Sequence, residues 1–252
     1  MIIMCADYVG YKVVEFLCNR QEFIGTLIID QNNRGDFNKK IIKKVRDTNP
    51  NVEIFNEEDI KIKEVQEHIK EQKYDFGILA WWPYIITQDM INMTKRGFVN
   101  THPGYLPYNR GKHPYFWSIV DETPFGVTLH YVDKDIDNGP AIARKMIDID
   151  WEDTGETLYK KSRELILELF YDNYDGVKAN TVELLPKLDT LGTFHYGKEL
   201  EPKCLIDLGK KYEAKQLLNI IRGRMFNNKG ESRFKFNNEE YSISIKIEKI
   251  NN

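Results

Sequence analysis

The 252-residue sequence predicts an α/β protein with a mostly parallel, twisted sheet flanked by helices, ending in a small helix plus β-hairpin subdomain. Two observations carry the sheet: short apolar, β-branched runs alternate with helix-period segments through residues 2–80, and each run ends at polar or turn-forming residues. A third sets off the tail, where the alternation gives way to one short helical pattern and then a two-residue period.

Residues 2–5 read as a buried first strand, and Val9, Val13, Phe16 and Leu17 then recur at helical spacing. Residues 23–30 form a strongly apolar strand. A basic, Asn-rich segment leads into Ile41, Ile42 and Val45 on one helical face. A short strand at 52–55 precedes a helix over 57–73 marked by Ile62, Val65 and Ile69, and a strand at 74–80 closes at Trp81-Trp82-Pro83. This βαβ rhythm makes the fold Rossmann-like. Strands follow at 98–102, 125–133 and 141–149, with a helix over 115–120. A long helix opens near Asp153, which is expected to cap it while Glu156 reaches back in a capping box. Pro186, Gly192, Gly197 and Pro202 punctuate a segment from 181 that lacks a period and reads as an irregular connection. Ala214, Leu217, Leu218 and Ile221 mark a short helix, and Phe234, Phe236, the Asn237-Asn238 turn and Tyr241, Ile243, Ile245 and Ile247 mark a hairpin with an apolar face. A lone two-stranded hairpin is marginal, so that face is expected to pack on the body or on a second subunit.

A net charge of −3 gives no global pull toward nucleic acid or anionic membranes. Cys5, Cys18 and Cys204 form no CxxC pair and read as plain small hydrophobes in a reduced, intracellular setting. No apolar stretch approaches the roughly 20 residues of a membrane span. The N-terminus lacks a signal-peptide pattern, so a cytoplasmic protein is expected. His113, His130 and His195 lack metal-ligand spacing, and no metal is expected.

The chemistry concentrates in Phe98-Val99-Asn100-Thr101-His102-Pro103-Gly104-Tyr105-Leu106-Pro107 and in Asp135-Ile136-Asp137-Asn138-Gly139. Asn100 and His102 are two apart, so on a strand both side chains leave one face, and Pro103-Gly104 turns the chain immediately after them. An imidazole is the natural base near neutral pH, a carboxylate can orient it, and a primary amide can hold an oxyanion. Acyl transfer to an amine requires those three functions. No serine or cysteine stands close enough in sequence to suggest a nucleophile, which favours direct attack by a substrate amine. On spacing alone, the same residues also fit satisfied polar groups at a strand end, with Asp137 as a turn former.

Gly97 to Gly111, then Gly126-Val127-Thr128-Leu129-His130, then Asp137-Asn138-Gly139-Pro140, resembles the formyltransferases that use N10-formyltetrahydrofolate. The shared pattern is N-x-H-P-x-x-L-P-x-x-R-G, G-V-T-x-H and D-x-G, and the likeness covers residues 74–168. The resemblance implies a catalytic triad of Asn100 (oxyanion donor), His102 (general base) and Asp137 (partner of His102). It also implies a folate pocket formed by Leu79, Ala80, Trp81, Trp82, Tyr84 and Ile85, with Val132 and Asp133 on the opposite wall. The indoles of Trp81 and Trp82 serve equally well as packing at a strand end. The implied organisation is a catalytic domain over 1–180, a connection over 181–211, and a C-terminal helix and hairpin over 212–252 that helps form a homodimer.

The flanks bear on the acceptor. Residues 6–12 lack the Gly-Ser-Asn phosphate loop of glycinamide-ribotide formyltransferases. The residues beyond Thr181 are too few, and too little basic, for the C-terminal barrel of methionyl-tRNA formyltransferases, so no nucleic-acid partner is expected. Formyltetrahydrofolate hydrolases carry a regulatory domain ahead of the first strand, which here is read at residues 2–5. The branch most similar to this sequence formylates nucleotide-linked (dTDP or GDP) 3- or 4-amino-deoxyhexoses, products that feed surface polysaccharides such as O-antigen. In that reading Lys12, Asn109, Arg110 and Lys112 approach the pyrophosphate, and Tyr8 and Tyr105 line the hexose pocket. Arg110 equally suits a structural tie between loop and sheet, and both tyrosines suit exposed loop positions.

Overall fold

The computed structural model describes residues 1–31, 37–227 and 229–250; residues 32–36 of the Asn-rich segment lie outside them. The first elements are β1 (Ile2–Cys5), α1 (Asp7–Asn19), β2 (Thr26–Ile29), α2 (Phe37–Thr48), β3 (Glu53–Asn56), α3 (Lys63–Glu71), β4 (Gly77–Ala80), α4 (Gln88–Ile91) and β5 (Phe98–His102). Then come β6 (Arg110–Gly111), α5 (Pro114–Val120), β7 (Phe125–Tyr131), β8 (Ala141–Ile147), α6 (Gly155–Ala179), β9 (Phe194–His195), α7 (Leu200–Cys204) and α8 (Ala214–Gly223). The chain closes with the short pair β10 (Met225–Phe226) and β11 (Lys229–Gly230) and the hairpin β12 (Ser232–Phe236) and β13 (Glu239–Ile243).

Seven strands form one sheet in the order β3-β2-β1-β4-β5-β7-β8. β1 pairs in parallel with β2 and β4, β2 with β3, and β4 with β5. Parallel neighbours need long crossovers, which the helix-period segments supply. The mostly parallel α/β sheet expected from the alternating pattern is therefore present.

The chain divides into two compact units, one of Met1–His102, Leu129–Ala143 and Ile166–Lys187, the other of Pro103–Thr128, Arg144–Leu165 and Leu188–Asn252. In the first, Ile2, Met4, Ile28, Leu79 and Phe98 on the sheet bury against Ile60, Ile69, Met90 and Met93. Phe16 of α1 stacks on Tyr171 of α6 with ring centroids 4.5 Å apart. Gly10 lets α1 approach the sheet, since a Cβ there would lie 2.9 Å from Cys5 Cβ. The helix expected over 57–73 is broken: a 3-10 turn spans Asp59–Lys61 and α3 begins after an extended Ile62. Asn56 starts the 3-10 turn, its side-chain oxygen accepting the N–H groups of Glu58 (2.8 Å) and Asp59 (3.1 Å) as an N-cap does, and the chain extends at Ile62 before α3.

In the second unit, Phe116 and Trp117 of α5 pack on Leu200 and Cys204, and Ile119 packs on Phe125 and Leu158. The expected capping box at Asp153 and Glu156 is not formed. Asp153 instead accepts the Asp150 N–H (2.9 Å) and the Thr157 hydroxyl (2.8 Å), while Glu156 accepts the Asn227 N–H (2.8 Å). The start of α6 is capped one residue later by Thr154 and Thr157, each hydroxyl accepting the other's backbone N–H at 3.3 and 2.9 Å. The carboxylate of Asp153 is buried and engaged by the Asp150 N–H and by the side chains of Thr157 and Lys161, which leaves the cap to Thr154. Residues 181–211 hold β9, a 3-10 turn over Gly197–Glu199 and α7, all too short to leave a hydrophobic period. β12 and β13 pair antiparallel with Phe234 opposite Tyr241, rings stacked at 5.1 Å. Asn237 and Asn238 both take positive φ (49° and 64°), as a two-residue hairpin turn demands. Cys5, Cys18 and Cys204 are buried free thiols. Among the described residues no helix is long and apolar enough to cross a membrane.

Candidate active site

In an open parallel sheet, ligands bind beyond the carboxyl ends of the strands. β5, a central strand, ends there with Asn100 and His102 on one face and Thr101 on the other. Thr101 closes the corner: its hydroxyl donates to the Leu79 carbonyl (3.2 Å) and accepts the Trp81 N–H (3.0 Å). That bond holds Trp81 at φ +60°, a backbone conformation that a bulky residue rarely adopts.

Asp137 arrives on the loop between β7 and β8. The loop is pinned by the Val132 N–H on the Phe98 carbonyl (2.8 Å), the Tyr131 N–H on the Pro140 carbonyl (2.9 Å) and the Asp135 N–H on the Asp133 carboxylate (3.0 Å). Gly139 is required for this path, because a Cβ there would fall 1.8 Å from the Tyr131 carbonyl oxygen. Asp137 sits at φ +48°, which Asp and Asn tolerate better than most residues.

The loop brings one carboxylate oxygen of Asp137 to 3.5 Å from His102 Nδ1 and 3.5 Å from Asn100 Nδ2. The three residues picked out in the sequence thus converge, with His102 only 4% exposed. A carboxylate beside Nδ1 favours the tautomer with its proton there, leaving Nε2 as the base. The site also contains His130, which the sequence reading had placed only within G-V-T-x-H and considered as a metal ligand. Its Nε2 accepts the Asn100 amide at 3.2 Å, its Nδ1 donates to the Tyr131 carbonyl at 2.9 Å, and Asp137 lies 3.7 Å away. Burial pushes this imidazole down to about 4, against the pull of Asp137 and with the help of neighbouring His102. His130 is therefore neutral at pH 7 and can accept an N–H. Its signal was legible in principle, since His130 lies at an even offset from Thr128 on a strand in the same motif.

The predicted folate residues lie in the same unit. Leu79 and Ala80 are buried and their carbonyls already accept hydrogen bonds, from Thr101 and from the Ala6 N–H (3.1 Å). Trp82 packs edge-on to Tyr84 at 5.3 Å, and its indole N–H is buried without a partner among the described residues. Tyr84 donates to Asp30 (2.9 Å), and Ile85 is exposed. Val132 packs against the core, and Asp133 holds its loop.

Tyr8 meets Phe37 edge-on at 6.0 Å, and the Lys12 ammonium pairs with Glu15 at 2.7 Å. The other predicted substrate contacts belong to the second unit. Asn109 is corrected to a structural role. It is 1% exposed, its amide donates to the Pro124 carbonyl (3.2 Å), and its side-chain oxygen accepts the hydroxyls of Thr123 (3.1 Å) and Thr193 (3.3 Å). The Arg110 guanidinium lies over the Phe194 ring at 5.8 Å, and the Lys112 side chain is exposed. Tyr105 stacks under Arg144 at 5.6 Å.

The central strand of a Rossmann-like sheet thus ends in an amide and an imidazole that meet a carboxylate from the β7–β8 loop, an arrangement chemically able to take up a proton and hold an oxyanion. The Formyl transferase family matches residues 13–172, and the N-formyltransferase dimerization C-terminal domain matches residues 199–249. The chain belongs to the formyl transferase family. It is 32% identical over 124 residues to the dTDP-4-amino-4,6-dideoxyglucose formyltransferase of Mycobacterium tuberculosis, covering 49% of this chain and 53% of that one. The match thus spans about half the length of that relative; methionyl-tRNA formyltransferases are further relatives. The fold resembles a sugar N-formyltransferase from a Shewanella species (TM-score 0.82, 16% identity, 99% of this chain and 98% of that one). It also resembles the N-formyltransferase of Helicobacter canadensis in complex with folinic acid and dTDP-3-aminofucose (TM-score 0.69, 17% identity, 94% and 84% covered).

Proposed function

We propose that this protein transfers a formyl group from N10-formyltetrahydrofolate to the amine of a nucleotide-linked (dTDP or GDP) 3- or 4-amino-deoxyhexose. The observation that carries the reading is the convergence of Asn100, His102 and Asp137 at the end of β5. The sugar-directed relatives and the folate and nucleotide sugar bound in the Helicobacter structure support the choice of donor and acceptor.

In this reading the sugar amine attacks the formyl carbon, a C–N bond forms, and the carbonyl oxygen becomes an oxyanion held by the Asn100 amide. His102 Nε2 takes the proton from the attacking nitrogen, and Asp137 steadies the resulting imidazolium through Nδ1. The bond from carbon to folate N10 then breaks, the proton passes to N10, and formamido sugar and tetrahydrofolate leave. Residues 79–85, with Val132 and Asp133, line the folate side. Lys12, Arg110 and Lys112 are this reading's groups for the pyrophosphate, and Tyr8 and Tyr105 those for the sugar. The C-terminal hairpin builds a homodimer, as the name of its family suggests. The free buried cysteines suit a cytoplasmic setting.

The test supplies N10-formyltetrahydrofolate with dTDP- and GDP-linked 3-amino- and 4-amino-6-deoxyhexoses and follows the formamide by mass spectrometry. Formation of one such product is expected. Formate release without any amine would indicate a formyltetrahydrofolate hydrolase, and formylation of charged initiator tRNA alone would indicate a methionyl-tRNA formyltransferase.

A further inference from the structure

The loop carrying Arg110 and Lys112 is joined along one side to β9. Its β6 residues pair with β9: the Arg110 N–H donates to the Thr193 carbonyl (3.0 Å) and the Lys112 N–H to the His195 carbonyl (3.1 Å). Gly111 suits this approach, since it sits at φ +90° and a Cβ there would lie 2.3 Å from the His195 carbonyl oxygen. Residues 193–195 therefore fix one side of the loop.

His195 fixes them. Its ring lies flat on Trp117 of α5, with centroids 3.7 Å apart and planes 5° apart. Nε2 is 2.8 Å from the Asp121 carboxylate and Nδ1 is 2.9 Å from the Glu199 carboxylate. The two ring nitrogens thus face two carboxylates from opposite edges of the ring, and Asp121 directly follows the last turn of α5. Lys198 and Lys203 line the same open cavity of about 650 Å³, and Arg110 and Lys112 lie on the strand paired with β9. One ring thus ties α5, β9 and the turn before α7 together.

We propose that His195 is a positioning residue for the acceptor substrate: clamped between Asp121 and Glu199 on the face of Trp117, it sets the loop that presents Arg110 and Lys112 to the nucleotide's phosphates. The proposal rests on the reading of the acceptor as a nucleotide-linked sugar. Nothing in it involves the chemical step, so it separates acceptor binding from turnover.

Steady-state kinetics of His195→Ala test it. The expected result is a KM for the nucleotide sugar raised about tenfold, with kcat and the folate KM within about twofold, the signature of lost binding rather than lost transition-state stabilisation. Glu199→Gln keeps an oxygen that can accept from Nδ1, and is expected to leave the nucleotide-sugar KM within about threefold of the wild type. A nucleotide-sugar KM unchanged in His195→Ala, or a fall in kcat at unchanged KM, overturns the proposal even where the variant melts earlier. Wild-type protein inactive on every nucleotide amino sugar would instead refute the acceptor reading. In that event hydrogen exchange decides the clamp: faster exchange of the Lys112 amide in His195→Ala, with the α5 and α8 amides unchanged, supports it, and unaltered Lys112 exchange overturns it.

Discussion

Asn100 donates its side-chain N–H to Nε2 of His130 across 3.2 Å, so the amide assigned to the oxyanion is oriented by an imidazole that burial keeps neutral. Replacing that acceptor frees the amide to rotate. His130→Phe is expected to lower kcat by roughly 10- to 100-fold, a loss typical of a misplaced oxyanion donor, with the folate KM little changed. Formyl transfer under saturating substrates measures it.

The same ring makes the fold acid-sensitive. Its value of about 4 in the folded chain lies below the ordinary 6.5, so the unfolded chain binds the extra proton first as pH falls. The stabilisation is whole above 6.5 and is lost as pH drops from 6.5 toward 4. The melting temperature should therefore decline over that window, and His130→Gln should flatten the decline.

His102→Ala and Asp137→Ala are expected to cut formyl transfer by about 100-fold or more while far-UV circular dichroism stays that of the wild type. Turnover near the wild-type rate would remove these two residues from the chemistry.

Thr101→Val keeps the shape of the side chain but strips the bond to the Trp81 N–H and the bond to the Leu79 carbonyl. Losing those two buried bonds should cost about 1–3 kcal/mol in urea unfolding. Because Trp81 depends on that bond for its positive φ, the folate KM should rise as well.

Asn109→Ala tests the reassignment of Asn109. Its φ of +57° favours Asn, and its amide joins Thr123, Pro124 and Thr193. A loss of about 1–3 kcal/mol in unfolding free energy is expected. A raised acceptor KM with full stability would instead return Asn109 to the phosphate site.

Much of this was legible from the chain alone, and the exceptions have physical causes. The parallel sheet was readable because each strand is a short apolar run bounded by polar residues, and the hairpin because Phe234 and Tyr241 flank an Asn-Asn turn. The cap of α6 was misplaced by one residue, since Asp153 looks like a better cap than Thr154 until its carboxylate is seen bonded to Asp150 and Thr157. Asn109 looked like a ligand because a loop amide beside an arginine suits phosphate. Its burial depends on Thr193, which lies 84 residues further along the chain.

By itself, the sequence determined the kind of fold and the identities of Asn100, His102 and Asp137, because periodicity and a dense local motif are properties of neighbouring residues. The tertiary structure decided that His130 joins them, that the Asn109 side chain is buried against Thr123, Pro124 and Thr193, and that His195 lies flat on Trp117 between Asp121 and Glu199. The bonds behind these facts include partners 15, 30, 74 and 84 positions apart. No local pattern records such partners; they become neighbours only when the strands, helices and loops pack.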